Sequence, residues 1–384
     1  MVLPKKSEYI ENNKYENKGR KTMKPWETYF REVEPYVAGE QPKLTSMIKL
    51  NTNENPYPPA PDVIDAIREM NMERLKLYPD PACEQLITAI ADTYEVSAEQ
   101  VFVGVGSDDV LGMAFLTFFN SPKPVLFPDI TYSFYDVWAK LFQIPYRQPA
   151  LDENYHIQKE DYYEENGGVV LANPNAPTSI YEDLHFIRDI IEHNQDVVVI
   201  VDEAYIDFGG TSAIELVKEY KNLLVVQTYS KSRSLAGMRI GYAIGDPGLI
   251  QAMQNVKYSY NSYTMNQTSI AAGVASMKAK QYFEECRNKI MDTREWTKKE
   301  LANLGFSFPD SMTNFLFVTH ESVSAKDLFE ALRKENIFVR YFNKPRLDNH
   351  LRITIGTKEE MIKLIAFLHS YLKGNCSEHT RGFA

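Results

Sequence analysis

The stretch Thr228-Tyr229-Ser230-Lys231-Ser232-Arg233-Ser234-Leu235-Ala236-Gly237-Met238-Arg239-Ile240-Gly241 decides how the rest of the chain is read. Its lysine follows closely on the apolar run Leu223 to Val226, small residues surround it, and an arginine comes near the end. Surface segments are not patterned this way, because lysine is rarely buried unless it is paired or has reacted. Desolvation and neighbouring cations such as Arg239 are expected to depress the amine's pKa and favour Schiff-base chemistry. Arg233 adds a second positive charge, expected either to depress Lys231 further or to reach a substrate anion.

Outward from this stretch, short apolar runs recur between residues 100 and 245. They are Val101 to Gly104, Pro124 to Phe127, a weaker one near Ile144, Val169 to Leu171, Val197 to Val201, Leu223 to Val226, and Ile240 to Ile244. Several are followed by helical patterns, such as Leu184 to Ile191. The alternation predicts a largely parallel sheet with helices on both faces, and continuous Val/Ile runs suit strands buried on both sides. Beyond residue 270 the texture changes to a long amphipathic segment, Tyr282 to Leu304, ending at Gly305. Phe315 to Val318, a helix over Ala325 to Glu335, and Leu351 to Ile355 follow. This predicts a separate, smaller α+β lobe. The expected divisions are a flexible extension over 1–25, an arm and leading loop over 26–60, a large domain over 61–270, a small one over 271–375, and a tail over 376–384.

Ligands in open α/β sheets collect outside the carboxyl ends of strands. Gly104-Val105-Gly106-Ser107-Asp108-Asp109 follows the first run and opens a helix, so its amides offer a phosphate cradle. A dinucleotide fingerprint is the rival reading, and its third glycine is missing. Asn173-Pro174-Asn175-Ala176-Pro177-Thr178-Ser179 reads equally as an ordinary Asn-Pro turn. Asp202, directly after Val201, reads as a metal ligand, a helix cap or the partner of a ring cation.

Composition narrows the classes further. The net charge of −10 argues against a nucleic-acid partner, which demands clustered Lys and Arg. Cys83, Cys286 and Cys376 form neither a disulfide framework nor a zinc-ligand spacing, and the seven histidines show no helical pairing, so no metal site is expected. No apolar run is long enough to span a bilayer. Residues 1–22 mix Lys, Glu and Asn without an apolar core, unlike a signal peptide; Met23 is an alternative start, and cytoplasm is the expected location.

Taken together, these motifs resemble the fold-type-I pyridoxal-phosphate (PLP) aminotransferases, and most of all the histidinol-phosphate aminotransferase branch. The resemblance rests on Val33-Glu34-Pro35-Tyr36, Leu50 to Pro58, Tyr78-Pro79-Asp80-Pro81, Gly106 to Asp109, Asn173 to Ser179, Asp202-Glu203-Ala204-Tyr205, Ser230-Lys231 with Leu235 to Arg239, and Leu351 to Thr357. It implies a mostly parallel seven-stranded large domain with a smaller α+β domain, and PLP as the cofactor. Lys231 would condense with the cofactor aldehyde and carry protons, Asp202 would keep the ring nitrogen charged, and Tyr205 would donate to the ring oxygen. Ser107, Asp108, Ser230 and Arg239 would hold the phosphate, and Tyr132 would stack on the ring. Tyr57 would cross to a neighbouring subunit, which implies a homodimer. Tyr36, Arg340 and Arg352 would grip the anionic group of the amino donor, with Asn314 near the substrate.

The chain departs from the family where Ala176 and Ser179 replace a usual Asn and Gly, leaving Asn175, or Tyr205 alone, for the ring-oxygen contact. The reaction implied is transamination between histidinol phosphate and 2-oxoglutarate. Aromatic amino-acid transamination and threonine-phosphate decarboxylation are the alternatives within the fold. A non-catalytic PLP module or a nicotinamide dehydrogenase built on Gly104 and Gly106 lies further off, the latter leaving Lys231 unexplained.

Overall fold

The computed structural model describes residues 25–36, 39–42, 44 and 46–379, with side chains to 374. The expected extension over 1–25, the alternative start at Met23 and the end of the tail therefore lie outside the described residues, Pro25 excepted. The chain divides into two units, one ending at Pro35 and one beginning at Tyr36. In the first, Pro25–Tyr29 forms a short 3-10 turn, and Trp26 within it tilts against Phe30 just beyond its end, ring centroids 5.3 Å apart.

In the second unit the strands are β1 (Ile48–Lys49), β2 (Val101–Gly104), β3 (Val125–Leu126), β4 (Tyr146–Arg147), β5 (Gly168–Ala172), β6 (Val199–Asp202), β7 (Leu223–Thr228) and β8 (Gly241–Gly245), then β9 (Phe306–Ser307), β10 (Phe315–His320), β11 (Ile337–Phe338), β12 (Arg340–Tyr341) and β13 (Leu351–Thr354). The helices are α1 (Pro61–Arg68), α2 (Glu84–Tyr94), α3 (Ser107–Phe118), α4 (Tyr135–Phe142), α5 (Leu184–Glu192), α6 (Pro247–Tyr260), α7 (Gln267–Lys278), α8 (Lys280–Asn303), α9 (Ala325–Lys334) and α10 (Lys358–His379).

Each of the seven apolar runs becomes a strand of one sheet, ordered β2-β8-β7-β6-β5-β3-β4. All neighbours are parallel except β8, which runs against both β2 and β7. Alternation along the strands divides the core into two layers. Val101, Val103, Val169, Leu171, Val199, Val201, Leu223 and Val225 face one layer, and Phe102, Val170, Ile200, Leu224 and Val226 face the other. Both faces are dry, as the unbroken Val/Ile runs require. The strand expected from Val197 starts two residues later, because the Val197 amide closes a turn onto the Asn194 carbonyl at 3.2 Å.

The smaller lobe is built on a four-stranded antiparallel sheet, β12-β13-β10-β9, packed under α8, α9 and α10. Helices in both lobes start on local chemistry. Asp183 caps α5 at the Phe186 amide (2.9 Å), and Ser324 caps α9. Thr357 and Glu360 form a reciprocal box before α10, with the Thr357 amide 2.8 Å from Glu360 Oε2 and the Glu360 amide 3.2 Å from Thr357 Oγ1. α8 stops before Gly305, whose φ of +83° is the left-handed stop the sequence predicts. The expected change of lobe at residue 270 falls inside α7, whose Ile270, Ala272 and Met277 all join the large-lobe core. The boundary expected at 375 likewise falls within α10.

Candidate active site

A cavity of about 580 Å³ opens at the carboxyl ends of β5, β6 and β7 and is closed from the other side by β12 and β13. Its lining brings together Lys231, Asp202, Tyr205, Tyr132, Ser107, Asp108, Ser230 and Arg239 with Tyr36, Arg340 and Arg352. Residues more than 300 apart in the chain converge, because the parallel strands all end on one edge of the large sheet and β12 and β13 face that edge.

Asp202 is the last residue of β6 and 5% exposed. It accepts a hydrogen bond from Tyr135 Oη at 2.8 Å and one from the Ala204 amide at 3.3 Å. No cation pairs with it among the described residues, and burial pushes its pKa up to about 6. A carboxylate held dry beside an open cavity, with no counter-charge, suits a cationic ligand atom. Tyr135 was not among the residues singled out from sequence; with several aromatic residues in 132–138, nothing in their order tells which one reaches β6.

Lys231 sits three residues past the end of β7, and its Nζ donates to the Thr52 carbonyl at 3.0 Å, with the Tyr205 ring 5.8 Å away. Arg239 has φ of +53° and turns back into the same space. Its guanidinium donates to Ser230 Oγ at 3.3 Å and pairs with Asp108 Oδ2 at 3.0 Å, so its charge is neutralised in this structure. Asp108 Oδ1 in turn accepts from Tyr132 Oη at 2.6 Å. Burial, then the Asp108 charge, push the Tyr132 pKa well up, which keeps the phenol neutral. These groups enclose the first turn of α3, where the free amides of Ser107 and Asp108 begin the helix. Gly106, at φ +86°, leaves the space open: a Cβ there would lie 2.3 Å from Arg239 Nη2.

Arg340 and Arg352 are direct cross-strand partners on β12 and β13. Like charges placed opposite one another destabilise a sheet, and neither has an ion pair among the described residues. Arg352 Nη2 donates to the Asn51 carbonyl at 3.0 Å, while its buried Nε has no partner. Phe315 and Phe342 flank its guanidinium, and burial depresses its pKa. Tyr36 stacks on Phe134 beside them, centroids 4.2 Å apart. Two unneutralised guanidiniums and an unsatisfied buried N–H make a site for a dianion or a carboxylate.

Four sequence expectations need correction or qualification. Asn175 does not line the cavity: its amide is spent on the Thr131 hydroxyl, the Ile130 carbonyl and the Thr178 hydroxyl, at 2.8 to 2.9 Å, which fastens the loop. Asn314 is fully buried behind the wall, donating to the Asn53 carbonyl at 3.0 Å. Arg233 reaches no substrate space; it packs over the Phe283 ring and donates to the Ser276 carbonyl at 3.0 Å. Tyr57 lies outside the lining of its own chain's cavity, packed against the small-lobe core with Lys289 5.5 Å from its ring.

Residues 50–55 form part of the expected leading loop, whose role local sequence does not reveal. It bonds to both lobes in turn. The Leu50 carbonyl accepts from the Thr354 amide, Asn51 from Arg352, and Thr52 from Lys231, while Asn55 Nδ2 donates to the Ser232 carbonyl, all at 3.0 Å. Glu54 pairs with Lys49 at its edge.

Residues 45–368 match the sequence profile of aminotransferase class I and II. The chain is 52% identical over 338 residues to the histidinol-phosphate aminotransferase of Clostridium botulinum strain Langeland, covering 88% of this chain and 96% of the relative. In fold it is similar to the histidinol-phosphate aminotransferase of Sinorhizobium meliloti, solved in complex with pyridoxal-5'-phosphate (TM-score 0.77, 24% identity, 85% of this chain and 91% of that one). It is also similar to the L-threonine-O-3-phosphate decarboxylase of Porphyromonas gingivalis (TM-score 0.73, 18% identity, 85% and 100% covered). Shape alone therefore does not choose the reaction.

Proposed function

Because the chain belongs to the class I and II aminotransferases, on their histidinol-phosphate aminotransferase branch, we propose that it transfers the amino group of histidinol phosphate to 2-oxoglutarate with PLP as cofactor. The observation that carries the substrate is the Arg340–Arg352 pair, two cations without carboxylate partners among the described residues, facing a cavity that also holds Lys231 and Asp202. The donor has a phosphate and no carboxylate, whereas glutamate has two carboxylates. Paired guanidiniums accommodate both anions.

The cavity's residues fit the cofactor. Asp202 meets the need for a buried, uncompensated carboxylate opposite a ring cation. The cradle of Ser107, Asp108, Ser230 and Arg239, kept clear by Gly106, meets the need for a phosphate seat. PLP supplies an aldehyde for the substrate amine and a cationic ring that draws electrons from the reacting carbon. Lys231 Nζ is the base that takes the proton from the carbon bearing the donor's amino group. Asp202 would hold its carboxylate against the ring nitrogen, Tyr205 would offer a hydroxyl, and Tyr132 would supply an aromatic face. Arg340, Arg352 and Tyr36 orient the donor by its anionic end and exclude water from it.

We extend the reading to a cytoplasmic homodimer. Met72, Leu75, Leu77, Tyr78, Tyr260 and Tyr263 are large apolar side chains left 46% to 80% exposed on one lobe, with Tyr78 and Tyr263 in ring contact at 4.7 Å. Patches of this kind mark association surfaces, and Tyr57, outside the lining of its own chain's cavity, is the residue this reading sends to a neighbouring site.

Two measurements test the reading. Borohydride reduction of the holoprotein followed by peptide mapping should label Lys231; a label elsewhere would exclude it. A donor screen should rank histidinol phosphate above phenylalanine, tyrosine and O-phosphothreonine. The Arg340→Ala variant should raise KM for phosphorylated donors at least tenfold and leave unphosphorylated ones within about threefold. Equal losses for both classes would remove the phosphate assignment.

A further inference from the structure

We infer that Thr354, acting through Asn53, fixes the direction of the Tyr205 hydroxyl, so that the phenol can only donate into the cavity. The inference rests on the cofactor reading above and concerns Thr354 and Asn53, which that reading does not use.

Asn53 is 1% exposed and sits at φ +57°, a left-handed conformation that Asn tolerates better than most residues. Its amide bridges two lobes. Nδ2 donates to Tyr205 Oη at 2.9 Å, and Oδ1 accepts from Thr354 Oγ1 at 3.0 Å. Thr354 Oγ1 also accepts the Asn53 backbone N–H at 3.0 Å. Asn314 Nδ2 holds the Asn53 carbonyl at 3.0 Å, so the residue is pinned on every side.

This arrangement sets the polarity of the amide. The Thr354 hydroxyl has one hydrogen, and Thr354 is 2% exposed. With Oδ1 toward Thr354, that hydrogen is satisfied. With the amide reversed, the hydroxyl would face two donors, and its own hydrogen would have no acceptor among the described residues, a cost comparable to losing a buried hydrogen bond. The amide N–H therefore points at Tyr205 and occupies a lone pair of its oxygen. The phenolic hydrogen cannot return to Asn53, and it is left for an acceptor in the cavity. Thr354 lies two residues beyond Arg352 on β13, on the same face of the strand. One strand thus carries both the anion clamp and the polarity setting, which makes Thr354 and Asn53 positioning residues rather than catalytic ones.

An O–H donated to the ring oxygen of bound PLP favours that oxygen as an anion, and the adjoining nitrogen then loses its proton at lower pH. The test is the pH titration of the holoenzyme's visible absorbance, with no substrate present. Thr354→Val keeps the shape and removes the hydroxyl; Asn53→Gly removes the amide and keeps the left-handed backbone accessible. Each should raise the midpoint by roughly half to one pH unit, about the worth of one hydrogen bond. Tyr205→Phe should raise it at least as far, Thr354→Ser should keep the wild-type midpoint, and Thr354→Val should add nothing in a Tyr205→Phe background. A Thr354→Val midpoint equal to wild type, or a shift that adds to that of Tyr205→Phe, would overturn the inference. If Thr354→Val fails to fold, Asn53→Gly carries the same comparison. A wild-type protein that develops no cofactor absorbance would instead bring down the cofactor reading, and this inference with it.

Discussion

Asp202 shows at the scale of one residue how function opposes stability. Moving a carboxyl from its ordinary 3.8 to about 6 costs the charged form about 3 kcal/mol in the cofactor-free protein. The folded state holds the proton more tightly than the unfolded chain does. This contribution to stability is therefore complete below pH 4 and is lost as the pH rises through 6. Glu203 acts in the same sense, pushed by burial to about 7 despite hydrogen bonds from Ser212, the Ala213 amide and Gln227. Asp202→Asn should therefore raise the melting temperature of the cofactor-free protein at pH 7.5, leave it nearly unchanged at pH 4.5, and cut turnover at least a hundredfold. Calorimetry at the two pH values, with a single-turnover assay, checks all three. That Asp202 ends a buried strand was legible from Val199-Ile200-Val201; that Tyr135 holds it was not, because contacts between distant elements leave no mark on local order. The same limit hid Thr354, which reads as an ordinary strand residue until the fold sets it against Asn53. It also misdirected the reading of Asn175, whose motif was visible while the direction of its side chain was not.

Among the elements, the junction of β2, α3 and β8 is tightly constrained. A Cβ at Gly241 would lie 2.3 Å from both the Gly106 carbonyl carbon and the Ser107 amide, against backbone that cannot yield. Gly241→Ala should destabilise the protein by about 3 kcal/mol or more and weaken cofactor binding with it, as urea unfolding and dialysis of the holoprotein would report. Gly106→Ala meets first the flexible Arg239 guanidinium, with a strained φ, so it should cost less stability and reduce cofactor affinity at least tenfold; an unchanged affinity would remove Gly106 from the cradle. The elements themselves were the most legible part of the chain. Short β-branched Val/Ile runs suit strands covered on both faces, and Gly305 marks the stop of α8. Lobe boundaries were less so, because α7 has the length and composition of either lobe's helices and only its packing of Ile270, Ala272 and Met277 decides.

For the whole molecule, the exposed aromatic patch and the displaced Tyr57 make a joint prediction. Lys231→Ala and Tyr57→Phe chains, each weakly active alone, should recover activity when mixed under conditions that exchange subunits, since one site of the hybrid would then have both groups intact. Leu77→Asp should abolish that recovery and shift the protein to a monomer in sedimentation analysis. Recovery that failed while exchange was demonstrated would confine Tyr57 to its own chain. Meanwhile the strand of backbone from Leu50 to Asn55, laced alternately to β13 and to the lysine loop, leaves neither lobe a private fate. Heat should therefore melt the monomer unit as one calorimetric peak rather than two, and a protease that severed this seam would release both halves at once.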